Sequence, residues 1–312
     1  MANEPHLCTL TQGVERGHAV LADAVATYTR VLGERLLAAY AMGSLAHGGF
    51  SPLVSDVDLA LILTDPLSKI DSARVKAVAW GLRAKGSPLH ARLSVFWGTP
   101  SSLAGRVSGG RFPVLDRLDL LEHGLLIWGE DVRSGLLPPA RNELLVSGAL
   151  FALEHLAGSA VGPPRRARGV GRLTKLVPFP ARFVPARSED ALEEIRCPKL
   201  LLSRGVGRLT KLVLFPVRLL FTAETGRVGT NDDAVEHYLA ADVAPPGASL
   251  VAAAIAWRTV PPENDGAVLS LLEDGMRPLY LHYIDEQRAR LASLGRHDLA
   301  EVFGKWQEQL LK

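Results

Sequence analysis

The chain has two cysteines, Cys8 and Cys197, in 312 residues, which excludes a disulfide framework and fits a reducing compartment. No apolar run approaches the ~18 residues that a membrane-crossing helix needs, and the opening MANEPHLCTL has no basic region followed by an apolar core. A cytoplasmic protein with no membrane partner is the expectation. The formal charge is small, +2, so wholesale binding of nucleic acid is disfavoured, although local basic clusters are present. Two local absences are sharper: no Asp or Glu lies between Asp71 and Asp116, and none between His155 and Ser188. Core material, by contrast, is ample, with 47% of residues hydrophobic and 22% charged. That suffices for one large or two ordinary domains.

The densest chemical signal lies in residues 43–63, GSLAHGGFSPLVSDVDLALIL. Residues 35–42 form a short apolar run before it. A polar turn with His47, Gly48, Gly49, Ser51 and Pro52 follows, and Ser55-Asp56-Val57-Asp58 then leads into Leu59-Ala60-Leu61-Ile62-Leu63. The order is strand, loop, strand. Side chains two apart on a strand project to the same side, so Asp56 and Asp58 converge at an exposed strand end. Like charges so placed repel unless a cation neutralises them, and hard oxygen ligands suit Mg²⁺. Gly43 permits close backbone approach, and the Ser44 hydroxyl with nearby amides can meet an anionic oxygen. Metal plus phosphate is the natural chemistry.

Gly43-Ser44, eleven residues, then Asp56-Val57-Asp58 resembles the signature of the polymerase-beta-type nucleotidyltransferases. With Gly48-Gly49 and Ser55-Asp56-Val57-Asp58-Leu59, the stretch is most similar to the aminoglycoside (streptomycin/spectinomycin-type) adenylyltransferases. Residues 123–131, HGLLIWGED, followed by Pro138-Pro139, are similar to a later segment of that family, as is Val217-Arg218-Leu219-Leu220 with Thr225-Gly226-Arg227. The resemblance covers roughly residues 30–240. It implies an α/β N-terminal nucleotidyltransferase domain, a mixed sheet with flanking helices, and an all-α C-terminal domain, with substrates held between them. It further implies transfer of AMP from ATP, with Mg²⁺, to a hydroxyl of a small molecule. Asp56 and Asp58 are then the catalytic metal ligands, Gly43, Ser44 and Ser55 meet the nucleotide's phosphates, and Arg218 neutralises the triphosphate.

The family's third carboxylate has no counterpart. On the strand expected over residues 89–97, Arg92 takes its place. Arginine cannot serve as a base, but it can hold phosphate bidentately; the plainer reading is an exposed strand arginine. Asp116, Asp119 and Glu122 share one face of a helix expected to begin near Leu115, a face that is usually solvated, and Glu122 offers a substitute acid. A family lysine near Arg218 is replaced by Asn231.

The rest of the chain reads as packing elements. Helices are expected over residues 11–33 with Thr11 as cap, 72–85 from Ser72, and 143–156. A basic, proline-rich linker is expected over residues 151–203. Residues 168–177, RGVGRLTKLV, recur as residues 204–213. The first copy continues Pro178-Phe179-Pro180, which disfavours helix, so the second copy is the structural one. Helices follow over 232–241, capped by Asn231, and over 249–258, 266–294 and 297–311, the longest kinked or broken at Pro278. Domains of 1–150, 151–203 and 204–312 result. Transfer onto protein or RNA is an alternative that the basic stretch favours, and a non-catalytic nucleotide-binding module is one that Arg92 favours.

Overall fold

Five consecutive apolar residues, Leu59-Ala60-Leu61-Ile62-Leu63, are satisfied as a strand only where both its faces are covered. In the computed structural model, which describes residues 4–157 and 188–312, all five are fully buried. The chain forms two units that divide between Pro139 and Ala140.

In chain order the first unit runs α1 (Glu4–Leu32), β1 (Leu36–Met42), α2 (Ser44–His47), β2 (Val57–Leu63), α3 (Lys69–Arg83), α4 (Pro88–Ala91), β3 (Leu93–Gly98), α5 (Pro100–Leu103), α6 (Val114–His123) and β4 (Leu125–Gly129). The sheet order is β3-β2-β1-β4. β1 is antiparallel to β2 and β4, whereas β2 and β3 are parallel, so the sheet is mixed. One face, bearing Ala39, Leu59, Leu61 and Val95, packs on Leu21 and Tyr28 of α1 and Val75 of α3. The other, bearing Tyr40, Ala60, Ile62 and Phe96, packs on Leu103 and on Leu120 of α6.

Several element ends differ from expectation for local reasons. α1 starts at Glu4, so Thr11 lies inside the helix rather than capping it. α3 is opened by Ser68, whose hydroxyl accepts the Asp71 N–H while Asp71 reaches back to the Ser68 N–H, a capping box that displaces Ser72 from the role. β3 begins at Leu93, because Pro88 opens a turn of helix that Arg92 ends. Arg92 therefore precedes the strand.

The second unit is all-α: α7 (Arg141–His155), α8 (Ser188–Arg196), α9 (Pro198–Ser203), α10 (Val206–Thr225), α11 (Asn231–Leu239), α12 (Ala248–Ala256), α13 (Asp265–Ser293) and α14 (His297–Leu311). α7 belongs here, so the division precedes the expected residue 150. The stretch 188–203, expected as linker, is helical. Residues 158–187, with the first copy of the repeat, lie outside the described residues; the second copy provides Arg204, the Gly205 cap and the first two turns of α10. Thr230, not Asn231, caps α11. α13 runs unbroken through Pro278; one missing hydrogen bond is offset by the burial of Leu272 and Met276 before it and Leu279, Tyr280 and Tyr283 after it. No helix among the described residues is long and apolar enough to cross a membrane.

Glu194, on α8, has no solvent exposure and accepts from Arg204 Nε at 3.0 Å and Arg208 Nε at 2.7 Å. Removing one partner of a buried pair leaves uncompensated charge. Arg208 is largely buried but Arg204 is 45% exposed and can turn to water, so Glu194→Ala is expected to cost about 1–3 kcal/mol of stability, read by urea denaturation of the full chain. A loss within experimental error would show that the arginines find water instead.

Candidate functional site

Asp58 is the second residue of β2, paired with Met42 of β1 and adjacent in register to Ser94 of β3. By alternation it shares the sheet face of Ala60 and Ile62, which Leu120 of α6 covers. Asp56 lies just ahead of the strand, and both carboxylates are partly exposed. Gly43, directly after β1, holds φ at +58°, and a Cβ there would collide with Asp58 Oδ2. Its glycine identity is thus demanded twice, by backbone conformation and by the carboxylate. The Gly43 N–H is already given to Asp119 Oδ2 at 2.9 Å, so this amide does not face a phosphate. Its carbonyl accepts the N–H groups of Ala46 and His47 at 2.9 and 3.0 Å and closes the turn of α2. Ser44, at the start of that turn, is partly exposed. Ser55 is buried; its Oγ accepts the Ser51 N–H at 3.0 Å and its own N–H donates to the Ser51 carbonyl at 2.9 Å. It braces the turn that delivers Asp56.

Arg92 is neither on a strand nor exposed. It is partly buried, with Nε donating to the Pro88 carbonyl at 3.3 Å and Nη2 to the Pro52 carbonyl. Its own carbonyl accepts the Val57 N–H at 3.1 Å. Burial lowers its pKa, and nearby Asp56 opposes that shift. Arg92 therefore ties the 51–56 loop to the start of β2 while lying close to Asp56. Alongside Asp58, β3 supplies Ser94 and no acid.

Two residues complete the surroundings. Arg111 exchanges both backbone hydrogen bonds with Trp97, at 3.0 and 2.8 Å. Its guanidinium lies 4.8 Å from the Phe96 ring centre, and Nη1 donates to the Val95 carbonyl at 2.6 Å. Burial depresses its pKa against the opposing charges of Asp116 and Asp58, so it brings a cation to the Asp58 side of the sheet. The sequence signal was the Gly109-Gly110 pair before it: Gly110 has φ of +79° and stands so close to the Trp97 carbonyl that no Cβ fits. Asp119 is the second, and only its place on a helical face was legible. The rings of His47 on α2 and His123 on α6 meet edge-on at 5.4 Å between centres, joining the two elements again.

Arg218 lies on α10 in the helical unit, partly exposed; the pKa of buried Arg258 after α12 is lowered first by burial and then by the like charge of Arg218. An apolar groove of about 470 Å³ lined by Leu21, Val25, Thr29 and Trp128 contains none of the predicted site residues.

Among the described residues no cluster of three or more His, Cys, Asp or Glu is placed to hold a metal. The donor set is Asp56 and Asp58. Mg²⁺ is commonly held by one or two carboxylates with water and substrate phosphates filling its octahedron, so the residues fit an ion bound together with a nucleotide rather than a closed cage.

No family profile and no curated protein matches the chain. Eight chains of solved structures do. One is the spectinomycin adenyltransferase AAD(9) of Enterococcus faecialis, solved with ATP and spectinomycin; it is 13% identical, the match covers 81% of this chain and 98% of that one, and the TM-score is 0.46. At that identity and score the likeness assigns neither activity nor substrate.

Proposed function

We propose that the chain is a nucleotidyltransferase that moves a nucleoside monophosphate, AMP from ATP, onto a hydroxyl of a small molecule, with aminoglycoside-type antibiotics as the first acceptors to try. The observation that carries this reading is the packing of the Gly43-Ser44 turn against Asp58, with Asp56 two residues away at the open end of β2. Asp56 and Asp58 would hold Mg²⁺, which would supply positive charge to a bound nucleotide. Ser44 offers its hydroxyl to the phosphates, and Arg111 balances charge beside Asp58. Arg218 stands as a candidate phosphate-binding cation of the helical unit. The attacking hydroxyl oxygen forms a bond to the α-phosphorus as the bond to the pyrophosphate oxygen breaks, and the hydroxyl proton passes to solvent water. The chain's contribution is positioning and charge stabilisation.

A second reading, nucleotide binding without turnover, is favoured by the carboxylate-free start of β3, since neither Arg92 nor Ser94 accepts that proton at neutral pH. Pyrophosphate release from ATP and Mg²⁺ across a panel of hydroxylated acceptors, beside calorimetric ATP affinity, decides between them. Release with an acceptor supports transfer; tight ATP binding with no release across the panel supports the module; no ATP binding sinks both.

The contacts of Arg92 make it a loop brace more than a ligand cation. Arg92→Ala is expected to cost about 1–3 kcal/mol of stability while ATP affinity of the folded protein changes by less than about threefold. A loss of affinity beyond about tenfold at unchanged stability would make Arg92 a phosphate-binding residue instead.

A further inference from the structure

Two aspartates of the first unit are buried among its described residues, and they are treated differently. Asp71, 3% exposed, receives the Arg35 guanidinium at 2.8 Å and two hydrogen bonds from Ser68. Asp119, 7% exposed, receives one backbone N–H, that of Gly43. Its Oδ1 is shielded from solvent without a hydrogen-bond partner, and no cation among the described residues pairs with it. A buried carboxylate satisfied on one oxygen is costly, and such a group calls for compensating charge nearby.

Gly43 locates that charge. Its N–H points to Asp119, and its Cα stands against Asp58 Oδ2 with no space for a Cβ. One residue is thus clasped between two carboxylates from different elements, α6 and β2. A divalent ion at Asp56 and Asp58 supplies positive charge that both sides of this clasp feel. Because Asp119 Oδ1 is inaccessible, Asp119 does not itself reach the ion or a substrate.

We infer that Asp119 is the third acid of the site, a positioning residue that acts from behind Gly43: its hydrogen bond holds the glycine against Asp58, and its charge raises the affinity of the Asp56–Asp58 pair for a divalent cation. This rests on the metal-dependent reading above. It places the third carboxylate on a helix, where the resemblance implied a neighbouring strand, and assigns it no proton transfer.

The test is Mn²⁺ binding to the full chain, followed by electron paramagnetic resonance with and without a non-hydrolysable ATP analogue. Asp119→Asn keeps an oxygen for the Gly43 N–H and removes the charge. It is expected to weaken Mn²⁺ about tenfold, a change that a unit charge at protein dielectric readily makes, and to lower kcat with KM for ATP unchanged. Asp119→Glu keeps the charge but displaces it by a methylene; Mn²⁺ affinity should stay within about threefold while kcat falls, and this variant carries the test if the asparagine form does not fold. Wild-type Mn²⁺ affinity in Asp119→Asn, or unchanged affinity and kcat in Asp119→Glu, overturns the inference alone. A wild-type chain that binds no Mn²⁺ with the nucleotide analogue removes the metal site and this inference with it.

Discussion

Asp58→Asn is expected to lower nucleotidyl transfer about a thousandfold or more, the scale set when several kcal/mol of charge stabilisation is lost and each 1.36 kcal/mol is tenfold. Asparagine has nearly the shape of aspartate, so the contact with Gly43 and the pairing with Met42 survive. What disappears is one of two negative charges facing the ion, and the remaining carboxylate of Asp56 lies outside the strand. Asp56→Asn should behave in the same direction. Because both residues are partly exposed, neither change should shift the thermal midpoint by more than a few degrees. The assay is pyrophosphate release at saturating Mg²⁺ with circular dichroism melts in parallel. Near-normal turnover in either variant would remove the carboxylate pair from the mechanism.

Gly43→Ala should be nearly as damaging, by a different route. At φ of +58° and ψ of −149° the backbone lies where essentially only glycine goes, so an alanine costs about 1–3 kcal/mol from strain, and its Cβ would overlap the Asp58 carboxylate, forcing that group or β1 to move. Gly33 provides the control: its φ is +53°, yet nothing lies within 4 Å of where a methyl group would stand. Gly33→Ala incurs the strain alone. The expected result is a larger loss of stability in Gly43→Ala than in Gly33→Ala, and loss of divalent-cation binding in Gly43→Ala only. Equal cation affinity in the two would show that Asp58 rotates away from the methyl and still binds.

What was legible in advance is what local chemistry dictates. Residues 59–63 announced a strand by an unbroken apolar run, and Gly43-Ser44 with Asp56-Val57-Asp58 announced the candidate site by type and spacing. Two kinds of information were not local. The hydrogen bond from Gly43 to Asp119 spans 76 positions, and on a helix read alone Asp119 is one acid of a solvated face; burial of Leu118 and Leu120 on either side of it is decided by the sheet. Arg92 was misplaced because four residues from Pro88 close a helical turn before the strand, delaying it enough that Ser94, not Arg92, stands beside Asp58. Proline density suggested a linker as far as residue 203, whereas Ala191, Leu192, Ile195 and Leu201 are buried in the helical unit.

The clasp of Glu194 by Arg204 and Arg208 bears on which deletions this chain tolerates. Residues 168–177 and 204–213 are identical, so an in-frame loss of one repeat unit would remove 36 residues and leave no scar in the protein sequence at the junction. The product keeps one copy of the repeated decapeptide and would pass as a harmless contraction. It also loses α8 and α9, and with them Glu194, leaving two guanidinium groups of the surviving copy without the carboxylate that they enclose. An in-frame loss of the interval is therefore expected to destabilise the helical unit, because it removes the buried acid and leaves its arginines in place.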